Sequence, residues 1–330
     1  MELKQLGEFG LIDLLKENTI IDPASVILGI GDDAAVLLPT PRQLQLLSTD
    51  MLVENVHFDL NTTTPYQLGY KAIAVNLSDI AAMGGAPKHL VISIAIPNTI
   101  SADFVLNLYK GMKEICRQFK VNIVGGDTVA SKNGLVINVA VIGEVEPAQL
   151  QRRSGARPGD FVVVTGMLGN SAAGLDLLTK GNWEELDFAW PLVTSHLTPK
   201  PQVCAGRVIA AYSNSMDDIS DGLASEANEI AKASNVGLRL FSQKIPIATE
   251  VYQAAGFLKR PELDYALYGG EDYQLIFTID PDKYSLLPLE EIGETLTIIG
   301  DVIDGSAKVE LVESSGKVVQ LEARGYNHFK

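Results

Sequence analysis

Aspartates beside glycine, serine or threonine recur along this chain of 330 residues, and clustered oxygen donors of that kind suit a hard cation such as Mg²⁺. The first are Asp32 and Asp33, in Gly29-Ile30-Gly31-Asp32-Asp33-Ala34-Ala35-Val36. Next, the apolar run Leu44 to Leu47 reads as a strand that delivers Ser48, Thr49 and Asp50 at its end, as three adjacent oxygen ligands facing solvent. His57 follows closely as a donor for an anionic substrate. Asp79 and Asn76 share a helix face among Ala72, Val75 and Ile80, and a carboxylate in so apolar a setting calls for a cation or another partner. At Gly125-Gly126-Asp127-Thr128 the glycines let backbone N–H groups approach phosphate oxygens, and Asp127 can hold the cation that bridges them. Asp217-Asp218-Ile219-Ser220-Asp221-Gly222 repeats the theme before a helix. Capping and the helix dipole explain one carboxylate there, not three.

Taken singly, each motif has a plainer reading as a turn or a helix cap. Brought together, Asp32, Asp33, Asp50, Asp79, Asp127, Asp218 and Asp221 would repel one another unless cations neutralised them. A donor set poor in His and Cys selects Mg²⁺ over zinc or copper, and nucleotide phosphates are the natural company for several such ions. No G-x-S-x-G elbow supports a Ser/His/Asp hydrolase. The net charge of −15, without a Lys/Arg block, argues against a nucleic-acid groove or an anionic membrane surface. A phosphorylated substrate would then be met largely through cations, with Arg153 as a candidate phosphate clamp.

Positioning these residues falls to elements the pattern predicts. Thr64-Pro65 opens a helix running to about Met83, Ala102 to Phe119 carries an amphipathic stripe, and Ser171 is placed as the cap of a helix through Leu178. Strands are expected at His89 to Ile96, Val121 to Val124, Leu135 to Val145, Phe161 to Thr165 and Tyr265 to Tyr268. With 46% hydrophobic and 20% charged residues the chain should fold, and its length suits two domains, 1–150 and 151–330, joined at the polar stretch Arg152 to Asp160. Cys116 and Cys204 read as buried free thiols, and the lack of a leader or an 18-residue apolar run makes a cytoplasmic protein the expectation.

The ordered set Gly7-Glu8-Phe9, GIGDDAA, STDMLVENVHF, NLSDIAAMGG, GGDT, RSGARPGD, DISDGL, GGEDY and Gly325-Tyr326-Asn327-His328-Phe329 covers nearly the whole chain. It resembles the thiamine-monophosphate kinase family, within the aminoimidazole-ribonucleotide synthetase-like ATP enzymes. Asn55 stands where that family often has Gly, and since Asn tolerates a left-handed backbone little harm is expected. The resemblance implies an α/β (α+β) fold of two domains: an N-terminal mixed sheet with helices that pairs in a homodimer, and a C-terminal α/β domain completing the substrate and metal site. It further implies ATP- and Mg²⁺-dependent phosphorylation of thiamine monophosphate to thiamine diphosphate. By motif, Asp33, Ser48, Thr49, Asp50, Asp79, Asp127, Asp218 and Asp221 would bind Mg²⁺. Asp33, Tyr109, Gly126, Asp127, Arg153 and Ser220 would serve ATP, and His57, Glu271 and Tyr326 would meet the substrate, the last through cation–π contact with the thiazolium. Rival readings are a purine-type synthetase of the same superfamily and a non-catalytic nucleotide-binding regulator. The GGEDY and His57 segments favour the kinase over the synthetase, and an acidic set with no motif missing argues against the regulator.

Overall fold

The computed structural model describes residues 3–31 and 33–325, except the side chains of residues 3–5, 8 and 9. The chain divides into two units, the first comprising residues up to Ile80 together with Gly85–Pro147, the second Ala81–Gly84 together with Ala148 onward.

The first unit contains α1 (Leu3–Leu15), β1 (Val26–Leu28), β2 (Val36–Leu37), β3 (Leu44–Val53), α2 (Pro65–Ala82), β4 (Ala86–Pro97), α3 (Ala102–Phe119), β5 (Asn122–Ser131) and β6 (Val136–Val145). Among the described residues its main sheet has the order β3-β6-β4-β5, antiparallel except for the β4–β5 pair. Alternation gives this sheet one apolar buried face, with Leu90, Ile92, Ile94, Ile137, Val139 and Val141 each at most 1% exposed. Helices α2 and α3 supply complementary apolar stripes. Their axes approach until backbones touch: a Cβ on Gly69 would lie 1.9 Å from the Leu108 carbonyl oxygen, and one on Gly111 equally close to that of Tyr66. A capping box starts α2, in which Gln67 Oε1 accepts the Thr64 N–H at 3.0 Å and Thr64 Oγ1 accepts the Gln67 N–H.

The second unit contains β7 (Phe161–Thr165), α4 (Asn170–Lys180), α5 (Ala189–Leu197), α6 (Val203–Ile209), β8 (Ser215–Asp218), α7 (Leu223–Ser234), β9 (Gly237–Phe241), α8 (Thr249–Leu258), α9 (Glu262–Tyr268), β10 (Leu275–Ile279), β11 (Leu296–Ile303), β12 (Val309–Val312) and β13 (Val318–Gln320). Among the described residues the strands form one mixed sheet, β13-β12-β9-β11-β7-β10-β8. Both of its faces are covered. Val162, Val164 and Ile276 join the core beneath α7 and α9, whereas Val163, Leu275 and Phe277 join the core beneath α6.

Helices and sheets are thus mixed in both units, as the α/β (α+β) reading expects. Three local expectations are corrected. Tyr265 to Tyr268 belongs to α9, with Tyr265 and Ala266 fully buried. Residues Ser48 to Asp50 lie in the middle of β3, whose pairing with β6 continues to Val53. Cys116 is buried but Cys204 is exposed on α6, between Val203 and Ala205, which face the core. Burial pushes the Cys116 thiol up to about 12, leaving it inert near neutral pH.

Candidate active site

Because β3 continues through Ser48, Thr49 and Asp50, strand alternation separates residues that an open loop would have kept together. Ser48 and Asp50 lie on the helix-covered face, and Asp79 comes to them from α2. The Ser48 hydroxyl donates to Asp79 Oδ2 in a short hydrogen bond. Asn76, one helical turn before Asp79, accepts the Asp50 N–H at 3.1 Å and donates to the Ala72 carbonyl at 3.0 Å, so its buried amide is satisfied. Partial burial and, secondarily, the charge of Asp79 push the Asp50 carboxyl up to about 6. Two crowded carboxylates and a hydroxyl, all oxygen donors, fit a divalent cation by chemistry.

Thr49 points to the opposite face, where its Oγ1 donates to the Val139 carbonyl at 2.9 Å and accepts from Asn138 at 3.0 Å. Asp127 is on this face too, in the register row Met51, Asn138, Ser93, Asp127. Since β3 and β5 are the two edges of the sheet, about 14 Å separates their backbones at the usual strand spacing. Gly126 sits in the Asp50 row with φ +155°, and a Cβ there would lie 1.9 Å from the Ile92 carbonyl oxygen. The pairing slips between Leu90 and Val91, which sets the GGDT stretch just after a bulge. His57 Nδ1 accepts the Val53 N–H at 3.0 Å, so the neutral ring carries its proton on Nε2. Asp33 is exposed. Tyr109 lines a cavity of about 330 Å³ between α1 and α3, beside Leu14, Lys110 and Lys113. Burial holds its hydroxyl well above the usual tyrosine range.

In the second unit the DISDG and GGEDY segments are bonded backbone to backbone, continuing the β8–β10 ladder. Ile219 N–H donates to Gln274 O at 2.7 Å, Tyr273 N–H to Ile219 O at 2.9 Å, and Glu271 N–H to Ser220 O at 2.6 Å. The fit is close enough that a Cβ on Gly270 would meet Ser220 O at 2.6 Å. Glu271 (φ +59°) and Tyr273 (φ +50°) hold left-handed backbones that cost a non-glycine residue about 1 kcal/mol or more each. Arg153 Nε donates to Asp217 Oδ2 at 2.7 Å, which ties the arginine to the strand bearing the buried Asp218. Gly325 abuts this loop, with its would-be Cβ 2.5 Å from the Asp221 carbonyl oxygen. Tyr326, the expected partner of the thiazolium, lies outside the described residues, as does Asp32.

Other polar residues complete the arrangement without having been singled out in the sequence. Glu226 Oε1 accepts the Asp221 N–H at 2.9 Å and the Ser220 hydroxyl at 3.3 Å, and its position a few residues into α7, within reach of the preceding loop, was the available signal. Burial pushes that carboxyl up to about 8. Ser171 is not the cap of α4. Gly169 occupies that position, and the buried N–H groups of Gly169 and Ser171, which have no acceptor within the helix, are taken by Asp272, at 2.7 and 3.2 Å. Nothing local to α4 could have announced a cap supplied from a hundred residues away. Among the described residues, no group of three or more His, Cys, Asp or Glu side chains gathers at one point to hold a metal ion.

Two family models match the chain, the AIR synthase related protein N-terminal domain over residues 31–145 and the corresponding C-terminal domain over residues 157–312, which defines the class as AIR synthase related. The thiamine-monophosphate kinase of Bacillus subtilis is 38% identical, covering 98% of this chain and 100% of that protein. A crystal structure of the Stenotrophomonas maltophilia thiamine-monophosphate kinase aligns with a TM-score of 0.84 at 33% identity, covering 95% of this chain and 98% of the other. A structure of AaThiL complexed with AMPPCP and TMP aligns with a TM-score of 0.79 at 37% identity, over 100% and 99%. The chain belongs to the thiamine-monophosphate kinase family.

Proposed function

We propose that this protein phosphorylates thiamine monophosphate to thiamine diphosphate with ATP, a step of thiamine diphosphate biosynthesis, by direct in-line transfer. The observation that carries the site reading is the Ser48, Asp50 and Asp79 cluster, an all-oxygen donor set in which one carboxylate is crowded by another. Mg²⁺ would be held by separate groups of donors: Ser48, Asp50 and Asp79 on the helix-covered face of the first unit, Thr49 and Asp127 on its opposite face, the exposed Asp33, and Asp218 and Asp221 of the second unit. When bound, such ions neutralise phosphate charge and so lower the repulsion between two anions. Gly126 and Asp127 approach the nucleotide phosphates, Arg153 clamps one with its orientation fixed by Asp217, Ser220 donates a hydroxyl, and Tyr109 borders the nucleotide. His57 and Glu271 hold thiamine monophosphate, with Tyr326 against its rings. A phosphate monoester's second pKa is about 6, so the attacking oxygen is already anionic at neutral pH and no strong general base is needed.

The sheet face opposite the helices supports a homodimer: Leu47 is 76% exposed, Met51 52%, Val129 49% and Val91 40%, apolar side chains on one face that pairing with a second copy would cover. No described helix is long and apolar enough to cross a membrane, and we read the enzyme as cytoplasmic. A coupled ADP-release assay with Mg·ATP tests the activity. Turnover with thiamine monophosphate, giving thiamine diphosphate by chromatography and stopped by EDTA, is expected. Turnover only with formylglycinamidine ribonucleotide would replace the kinase by a synthetase.

A further inference from the structure

We infer that His196 is a positioning residue that aims the Glu271 carboxylate at the substrate. The inference rests on the reading of Glu271 as a substrate contact. His196 is 5% exposed on α5, and its Nδ1 lies 3.1 Å from Ser171 Oγ and 3.4 Å from Glu271 Oε2. A histidine kept only for packing would need one hydroxyl to satisfy that nitrogen; here a carboxylate from a distant segment shares it. The neighbouring Asp272 turns inward to the N-terminus of α4, whereas the Glu271 side chain remains 28% exposed. Consecutive carboxylates are therefore divided between a structural task and an outward one.

Glu271 is fixed from both ends. Its left-handed backbone donates to Ser220 O at 2.6 Å, and its carboxylate lies 3.4 Å from the buried His196 of α5. A long glutamate side chain otherwise samples many rotamers, and holding it in one lowers the entropy lost when ligand binds. A carboxylate repels the substrate phosphate, so the part it recognises is the cationic, N–H-bearing ring system. His196 thus acts on the organic end of thiamine monophosphate and not on ATP.

The test is steady-state kinetics of His196→Phe, His196→Asn, Glu271→Gln and the double variant His196→Phe/Glu271→Gln, with melting curves for each. Loss of the close His196–Glu271 contact should raise the KM for thiamine monophosphate about tenfold in His196→Phe, with the KM for ATP unchanged. Asn, which replaces the ring nitrogen by an amide, should restore it to within about threefold, and the double variant should be no worse than Glu271→Gln. A His196→Phe enzyme with unaltered thiamine monophosphate KM, or with both KM values raised alike, would overturn the inference while leaving a responsive Glu271 in place. An unaltered KM in Glu271→Gln would instead remove the substrate reading of Glu271, and this inference with it.

Discussion

In the first unit Ser48 and Asp50 project from the middle of a strand and Asp79 from the last turn of a helix, whereas in the second Ser220, Asp221, Glu271 and Asp272 ride on two turns bonded to each other through their backbones. The two constructions fail differently. In regular structure, alternation and helical spacing aim the side chains at no local cost, and the strain is electrostatic, between carboxylates. On the turns the strain is in the backbone, at Glu271 and Tyr273, and is sustained by glycines that allow the two loops to touch. A substitution should therefore separate activity from stability in the first unit and couple them in the second.

The largest effect is expected from Asp50→Asn, which should lower kcat/KM by on the order of 10³-fold if Asp50 is a ligand. The same change removes a charge beside Asp79, so the metal-free protein should become about 1 kcal/mol more stable to urea. Loss of activity together with loss of stability would break the contrast. Gly270→Ala should do what Asp50→Asn does not. With φ +72° and the Ser220 carbonyl oxygen 2.6 Å from the new Cβ, it should cost about 2–4 kcal/mol in urea denaturation and raise the KM for thiamine monophosphate in parallel.

A smaller effect sharpens the comparison through pH. Burial raises the Asp272 carboxyl from 3.8 to about 7, against the pull of its backbone N–H donors. A raised acid binds its proton more readily folded than unfolded, so this group makes stability fall as pH rises from about 4 to about 7. Above and below that window its contribution is flat. Asp272→Asn lacks the term, and the stability of the wild type relative to this variant should decline across the same window when both are denatured at several pH values. A difference that rises with pH would mean that the α4 N–H groups outweigh burial and hold the carboxylate ionised.

The same contrast decides what could be read in advance. Helix α3 was legible because Val105, Leu108, Met112, Ile115 and Phe119 repeat at helical period; the structure adds its cap, Ser101, which accepts the Phe104 N–H. The family was legible too, since its motifs run in order along the chain. Tyr265 to Tyr268 was not: four apolar residues fit a strand or a buried helical turn equally well, and only length and packing separate them. The end of β3 was missed because Ser48-Thr49-Asp50 breaks an apolar pattern without breaking the hydrogen bonding to β6. Individual acidic candidates stood out by their apolar neighbours, but the meeting of Asp79 with Ser48, and the service of Asp272 to α4, depend on tertiary register that no local pattern encodes.

The most direct test of direct phosphoryl transfer, and of the assigned roles of Asp50 and Asp221, is a single turnover with γ-labelled Mg·ATP and thiamine monophosphate, quenched over time, for wild type, Asp50→Asn and Asp221→Asn. The account predicts label passing straight into thiamine diphosphate in the wild type, none held on the protein, and transfer slowed on the order of 10²-fold or more in both variants. Label accumulating on the protein, or full-rate transfer by either variant, would contradict it.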